Sequence, residues 1–429
     1  MKKKLNIAVV GLGQVGIYLL NELNTKKKDI EIKTGKKINI SAISAKNINK
    51  KRRFKINKKI FFKNPLDIIK LKEIDILFEV IGSSDGISKK IVEESLKNKI
   101  HVITPNKSLI AKHGDYLSNL AEKNKVNLEF EASVAGGVPI LRTIKEGLAT
   151  NKILKIYGIL NGTCNYILSE MERSKDSFLN VLKKAQKLGY AEISNPIFDL
   201  NGLDALAKVR ILSSLAFNNK ISNKKCLMEG IENIEFKDID IANQLNYRIK
   251  LLGITELINQ KLFERVHPCL VKKDTYIGNV NGVMNAVIVN GSPVGESILQ
   301  GEGAGPGPTS SALMSDLLSI LRGNIKYPFG VSNRKRKKIK IYNVNNYINS
   351  LYLRFEVKDK PGVLSQITHS LAKKNISVER LIQIPDHKNK KASIVIITHK
   401  TNESDANNCL KSLKSNKNIL RNPTRIRLF

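Results

Sequence analysis

Asp204 and Lys208 stand four residues apart in Leu203-Asp-Ala-Leu-Ala-Lys-Val209, and the stretch continues as Arg-Ile-Leu-Ser-Ser-Leu215. That spacing is one helical turn, so the carboxylate and the ammonium fall on one face of a helix. On an exposed helix this would be an ordinary ion pair. Here Leu203, Ala205, Leu206, Ala207 and Val209 surround the pair, which predicts a partly buried cleft edge. There a carboxylate can hold a substrate ammonium and a lysine amine can move a proton. A free lysine titrates near pH 10.4, so acid/base work requires burial or a second cation to lower that value. Lys107 follows a predicted strand in Thr104-Pro-Asn-Lys107, and parallel sheets bind their ligands at such carboxyl ends. It is the natural second cation.

A second constellation lies near the N-terminus, where the apolar run Leu5 to Val10 meets Gly11-Leu-Gly13-Gln14-Val15-Gly16 and then the amphipathic Ile17 to Leu23. A G-x-G-x-x-G between a strand and a helix is a dinucleotide-binding turn. Gly11 permits the tight turn, Gly13 lets the backbone approach a pyrophosphate, and Gly16 lets the helix pack on the strand, while the helix start offers free N–H groups to the phosphates. Further strands are expected at Ile38 to Ala45, Asp75 to Ile81 and His101 to Thr104, with a helix at Ile87 to Asn98. Alternation of this kind predicts an α/β, Rossmann-type parallel sheet. Binding of the NAD ribose calls for an acidic residue at the end of the second strand. The chain instead has Ser44-Ala-Lys46 there, followed by Lys50, Lys51, Arg52 and Arg53. Cations at this point suit a 2′-phosphate, so NADP is favoured over NAD.

The 429 residues carry 73 Lys and Arg against 38 Asp and Glu, a formal net charge of +35. Only 15 of those cations are arginine, they are spread along the chain, and there is no tryptophan. A nucleic-acid partner would call for a clustered patch with stacking aromatics, so none is expected. The densest basic run, Arg334 to Lys338, reads as a linker. Cys164, Cys226, Cys269 and Cys409 form no Cys-x-x-Cys pair, which argues against zinc or a disulfide framework and for a reducing, cytoplasmic setting. No apolar stretch reaches the roughly 18 residues of a membrane span. Cys164 could serve as the nucleophile of an acylating semialdehyde dehydrogenase, but no histidine is near it in sequence, and it is assigned a structural role.

From Thr104 onward the chain resembles homoserine dehydrogenase, the enzyme that interconverts aspartate semialdehyde and homoserine. The resemblance rests on Thr104-Pro-Asn-Lys107, Glu131-Ala-Ser-Val-Ala-Gly-Gly-Val-Pro139, Asn161-Gly-Thr-Cys-Asn-Tyr166, Gly189-Tyr-Ala-Glu192, Asp199-Leu-Asn-Gly-Leu-Asp204-Ala-Leu-Ala-Lys208 and Gly301-Glu-Gly-Ala-Gly-Pro-Gly-Pro-Thr309, which with the glycine turn span about 300 residues. It implies that Lys208 exchanges the proton at the substrate oxygen with Lys107 as its partner, and that Glu192, Asp199 and Asp204 bind the amino acid. It also implies a cofactor held by Gly11, Gly13, Gln14, Val15, Gly16, Lys46, Thr104, Lys107 and Gly303. For Glu131, Val134, Gly136 and Val138 it implies a monovalent-cation site, Na+ by preference, whereas the residues alone favour a plain strand-to-helix turn, turn glycines being common. The segment between Glu192 and Asp199 departs from the family, being one residue longer and having Asn195 where an acid is common.

The last 80 or so residues pattern as β-α-β-β-α-β: strands at Leu351 to Val357, Ser377 to Gln383, Ala392 to Thr398 and Thr424 to Leu428, with helices at Leu364 to Lys373 and Ala406 to Ser415. With the turn Asp359-Lys-Pro-Gly362 this resembles the ACT domain, an amino-acid-sensing module. Two roles stand open for it, dimer contacts or binding of a pathway amino acid such as threonine near Gly362. The expected organisation is a dinucleotide-binding domain over 1–135, an α+β catalytic and dimerisation domain over 136–325 whose chain returns to the first domain near 305–325, a basic linker over 326–348 and the ACT-like domain over 349–429. A homodimer or homotetramer is expected. The rival reading is a catalytically silent sensor on a dehydrogenase scaffold, but such a sensor would be expected to lose Lys107 or Lys208. An aspartate kinase portion is not expected, because the glycine turn begins at residue 11.

Overall fold

Ile7 and Val9 point into one apolar layer while Ala8 and Val10 point into another, as required of a strand covered on both faces. The computed structural model describes residues 3–48, 57–192 and 196–429. Strands β1 (Lys4–Val10), β2 (Lys37–Ser44), β3 (Phe61–Phe62), β4 (Ile76–Glu79), β5 (His101–Ile103) and β6 (Leu128–Glu129) form one sheet in the order β3-β2-β1-β4-β5-β6. Every pairing in it is parallel. This is the doubly wound dinucleotide-binding order, with its switch point between β1 and β4. Strands β3 and β6 went unread in the sequence, because two residues show no periodicity.

Helices α1 (Gln14–Thr25), α2 (Lys27–Thr34) and α3 (Leu66–Ile69) come before and after β2 and β3, and α4 (Ile87–Lys97) and α5 (Lys107–Asn124) flank β5. The second domain follows with α6 (Ile140–Arg142), which continues as a π-helical turn Thr143–Gly147, then β7 (Lys152–Ile159), α7 (Gly162–Ser174), α8 (Phe178–Lys187), α9 (Ile197–Leu200), α10 (Leu203–Ala216), β8 (Leu227–Met228), α11 (Phe236–Gln244), β9 (Tyr247–Ile258), β10 (Lys261–Lys272), β11 (Met284–Ser292), β12 (Gly295–Glu302) and α12 (Pro306–Leu321). Helix α12 returns to the first domain, where Leu313, Leu317 and Ile320 join the layer of Leu19, Leu20 and Ile7. Strand β9 lets α10 come close at Gly253, where a Cβ would lie 2.6 Å from Val209 Cγ2.

The C-terminal domain contains a two-residue ribbon, β13 (Ile348–Asn349) with β17 (Thr401–Asn402), and the elements β14 (Leu351–Lys358), α13 (Val363–Ala372), β15 (Val378–Asp386), β16 (Lys391–Thr398), α14 (Glu403–Leu413) and β18 (Thr424–Leu428). The β-α-β-β-α-β order is the expected one. What the pattern did not reveal is that β18 also pairs in parallel with β10, Cys269 opposite Arg427 and Leu270 opposite Leu428. One sheet, β12-β11-β7-β9-β10-β18-β14-β16-β15, therefore crosses both domains. The basic run 334–338 needs correction in the same direction. Its other cations are exposed, but Arg336 is buried, donating to Ser214 Oγ and the Asn219 carbonyl and pairing with Asp115 at 2.7 Å. The connection is stitched onto both the catalytic domain and α5 of the first domain, because a buried guanidinium needs partners for its fixed fork of donors.

Candidate active site

Gly11 leaves β1 at φ +105°, and a Cβ there would come within 2.5 Å of the Val80 carbonyl oxygen. At Gly16 a Cβ would lie 1.9 Å from the Gly11 carbonyl oxygen. Both glycines are thus required by packing within the turn. Gly13 differs: it caps α1 with no side-chain bond, and a Cβ there would meet nothing within 4 Å. The open space lies over the start of α1, beside Gln14 and Val15, which is the cradle a pyrophosphate needs. Lys46 is exposed just beyond β2, and β2 lies against the turn through the Gly11 N–H, which donates to the Ser44 carbonyl at 2.9 Å. The Lys50 to Arg53 run lies outside the described residues.

At the switch point the carboxylate of Glu79, fully buried, accepts from the Ile81 N–H (2.9 Å) and the Thr104 hydroxyl (2.6 Å), as well as from Ser88. Asn106 caps α5 by accepting from the Leu109 N–H at 3.1 Å and donates to the Ser83 carbonyl at 2.7 Å. These bonds place Lys107 at the first position of α5. Thr104, expected against the cofactor, has its hydroxyl committed to Glu79 and its N–H to the Glu129 carbonyl. What its side chain does here is to hold the turn that presents Lys107.

The three central residues converge. Asp204, buried in the first turn of α10, takes Lys107 Nζ on Oδ1 at 2.8 Å and Lys208 Nζ on Oδ2 at 2.8 Å. Asn161 Nδ2 donates to the same Oδ2 at 2.9 Å and to Asp199 Oδ1 at 3.0 Å. Lys208 also donates to the Leu160 carbonyl at 2.6 Å, so two of its three N–H bonds are in use and one is left for a substrate oxygen. Burial works to raise the Asp204 pKa, but the two ammonium groups, Lys208 foremost, outweigh it and hold the carboxyl well below its usual range. Burial lowers the Lys208 pKa, and the charge of Lys107 adds to that against the opposing pull of Asp204. Lys107, a third exposed, is pushed the other way, chiefly by Asp204. The cleft edge expected from the sequence is in fact a buried seat, reached from the side of Lys107.

Asp199 is half-buried, and desolvation with Asp204 nearby raises its pKa. Glu192 is exposed, near enough to Lys107 to help raise that lysine's pKa. The altered loop positions Ile193 to Asn195 lie outside the described residues. Cys164 is buried, donates to the Asp199 carbonyl at 3.3 Å, and burial pushes its thiol up, which suits a structural thiol. The sequence reading missed Asn161 and Glu79 as organising residues. The signal for Asn161 was present: it precedes a helical pattern, and its Oδ1 does cap α7 through the Cys164 N–H. Its remaining amide N–H groups are what reach the carboxylates.

Glu131 is buried and accepts the Leu141 and Arg142 N–H groups, each at 2.8 Å, so it caps α6, and burial raises its pKa. The turn after it has two consecutive left-handed residues, Ala135 and Gly136, and a Cβ at Gly136 would strike the Gly303 carbonyl at 2.5 Å. Gly136 and Val138 are thereby seated against the 301–307 loop, and the Gly137 N–H donates to the Glu302 carbonyl at 3.0 Å. That loop leads to Gly307, which lies near Tyr18 of α1, so both glycine-rich turns flank one cleft.

A parallel sheet with a glycine cradle at its switch point, beside a buried lysine–aspartate–lysine cluster, defines a nicotinamide dinucleotide-dependent oxidoreductase acting on a CH–OH group. The homoserine dehydrogenase family model matches residues 139–318, the NAD-binding domain of homoserine dehydrogenase matches 11–131, and the ACT domain matches 351–418. The homoserine dehydrogenase of Neisseria gonorrhoeae is 39% identical, with 96% of each chain covered, and that of Helicobacter pylori is 38% identical with 100% of each covered. A solved homoserine dehydrogenase structure from Thiobacillus denitrificans superposes with a TM-score of 0.92 at 35% identity, covering 100% of this chain and 98% of the other. The chain belongs to the homoserine dehydrogenase family. Its reaction is the nicotinamide-dependent reduction of aspartate semialdehyde to homoserine, a step of amino-acid biosynthesis, and the silent-sensor alternative is not favoured.

Proposed function

We propose that Lys208 is the proton donor to the aldehyde oxygen during reduction and, as the neutral amine, the acceptor from the homoserine hydroxyl in reverse. The observation that carries this is the shared buried carboxylate: Asp204 holds Lys107 on one oxygen and Lys208 on the other, each at 2.8 Å, while burial and Lys107 lower the Lys208 pKa. The reduced nicotinamide, when bound, supplies the hydride to the carbonyl carbon. Lys107 lies between that face and the substrate, and Asp199, Asp204 and Glu192 take the substrate ammonium. The cofactor is NADP by preference, seated on Gly11, Gly13, Gln14, Val15 and Gly16 with Lys46 toward the 2′-phosphate, and with Gly303 closing the nicotinamide end. The open position at Gly13 supports the fit. A monovalent cation, Na+ by preference, fits the carbonyls of Val134, Gly136 and Val138 beside the buried charge of Glu131, where it would brace the 301–307 loop.

The protein works in the cytoplasm as a homodimer or homotetramer, without nucleic acid or membrane, and its ACT domain takes a pathway amino acid, threonine first. Four free cysteines, three of them buried, suit a reducing compartment. Among the described residues no helix is long and apolar enough to cross a membrane. The test of the catalytic reading is Lys208→Ala: turnover falls about 10²-fold or more with coenzyme affinity and folding intact. Near-normal turnover in that variant defeats the assignment.

A further inference from the structure

Outside the site, one fully buried guanidinium joins the two helices that carry its lysines. Lys107 opens α5, and Asp115 stands on the same helix about 12 Å further along. Lys208 lies in α10, where Ser214 stands about 9 Å beyond it, and Asn219 follows the end of that helix. Arg336 pairs with Asp115 at 2.7 Å, and donates to the Asn219 carbonyl at 3.0 Å and to Ser214 Oγ. A rigid, planar fork meets partners on both helices at once, which a single ammonium does less well. The guanidinium carbon also lies 3.9 Å from the centre of the Phe329 ring. Phe329 is buried against α5 at Gly114, where a Cβ would come within 3.0 Å of its Cζ. The segment is fixed on both sides of Arg336. Glu122 of α5 accepts the Asn333 N–H at 2.8 Å, and the Lys220 N–H donates to the Lys337 carbonyl at 2.9 Å. The charges that face Arg336 are Asp115 and Glu122 from α5 and Lys220 from beyond α10.

Helices α5 and α10 lie side by side, and the 2.8 Å contact of Lys107 with Asp204 is made across that boundary between domains. Its length follows the spacing of the two helices. A displacement of about 1 Å in a group that positions a reaction can cost about 10²-fold in rate. We infer that Arg336 is a positioning residue of the reaction: it clamps α5 to the end of α10 and so keeps Lys107 on Asp204, beside Lys208. The inference rests on the reading that Lys208 moves the proton. Without the clamp Lys107 draws back and Asp204 is left to Lys208 alone. The groups facing Lys208 are then Asp204 and Asp199, without the cation that lowers its pKa, and that pKa rises. Reduction needs the ammonium and is lost as pH rises through the pKa, so the alkaline limb of the rate profile moves to higher pH.

The experiment records pH–rate profiles for semialdehyde reduction by the full chain in three variants: Arg336→Met, Asp115→Asn and, as the control, Arg334→Met in the exposed part of the same run. In Arg336→Met kcat should fall at least tenfold, with the alkaline limb displaced to higher pH. Asp115→Asn should change both in the same direction, with kcat down at least threefold, and Arg334→Met should match wild type. A variant that merely folds less well loses rate by the same factor at every pH, so displacement of the limb separates positioning from stability. If Arg336→Met does not fold, Asp115→Asn decides, its side chain being 31% exposed. Wild-type kcat in these variants, or a fall in kcat with the limb unmoved, would overturn the proposal. Near-normal turnover in Lys208→Ala would instead defeat the proton-transfer reading and the clamp with it, whereas an inactive Lys208→Ala beside an unaffected Arg336→Met removes the clamp alone.

Discussion

Replacing Asp204 by Asn keeps the shape of the side chain and removes the one negative charge between Lys107 and Lys208. Both ammonium groups lie 2.8 Å from that carboxylate, whose side chain is only 3% exposed. At an effective dielectric near 20, each such contact is an attraction of about 6 kcal/mol before desolvation is set against it. Measured losses on breaking a buried pair are about 3–5 kcal/mol. The protein can avoid much of that by letting Lys208 lose its proton, so the Lys208 pKa, already lowered by burial and by Lys107, falls further in the variant. Reduction needs the ammonium, so the rate is full below the Lys208 pKa and is lost as pH rises through it. In Asp204→Asn that loss moves to lower pH. On the alkaline side turnover for aldehyde reduction should fall about 10²-fold or more and recover partly as the pH is lowered, while KM rises because the substrate ammonium loses a partner. The assay is a pH–rate profile for reduction in both proteins, with urea unfolding as the control for folding. A variant whose high-pH limb coincides with the wild type's, with kcat within threefold, would refute the view that Asp204 sets the charge state of Lys208.

Gly13→Ala should leave urea stability unchanged and weaken NADPH binding roughly tenfold, about 1.4 kcal/mol, whereas Gly16→Ala, with its Cβ 1.9 Å from the Gly11 carbonyl oxygen, should cost about 1–3 kcal/mol of stability; identical behaviour of the two would contradict the division of roles in the turn. NADPH should bind more than about tenfold better than NADH, one charge-assisted phosphate contact being worth roughly 1.5–3 kcal/mol, and titrations showing equal affinities, or no effect of Lys46→Ala, would count against NADP. Truncation after Tyr342 removes the Arg354 and Tyr352 partners of the fully buried Asp238, which lie at 2.6 and 2.9 Å, and uncovers β10. The fragment should therefore be insoluble or lose about 3–5 kcal/mol of stability, and a soluble fragment that melts with the intact protein would show that the two domains are independent.

The dinucleotide fold was legible in the sequence because its determinants are local. An apolar run, three glycines at fixed spacing and a helical pattern lie within some 20 residues; Gly11 and Gly16 answer to close backbone packing that a Cβ would break, and Gly13 leaves open space at the helix start. The Asp204–Lys208 pair was legible for the same reason, a helix turn being a short-range object. The ACT-like order of strands and helices could likewise be read from periodicity. What only the tertiary structure decided depends on chain segments far apart. Lys107 meets Asp204 from another domain, and Asn161 ties Asp199 to Asp204 from the start of a third helix. Glu79 is the buried anchor of the turn carrying Lys107, although nothing around it in sequence marks it. The basic run was read as a linker because charge patterning says where solvated cations occur on average, while the burial of Arg336 is set by Asp115, Ser214 and Asn219. The pairing of β18 with β10 could not be read either, since a two-residue match between strands more than 150 positions apart leaves no period in the sequence. Local chemistry is written in adjacent residues, but the pKa of Lys208 and the joint between the C-terminal and catalytic domains are properties of which distant groups are packed together.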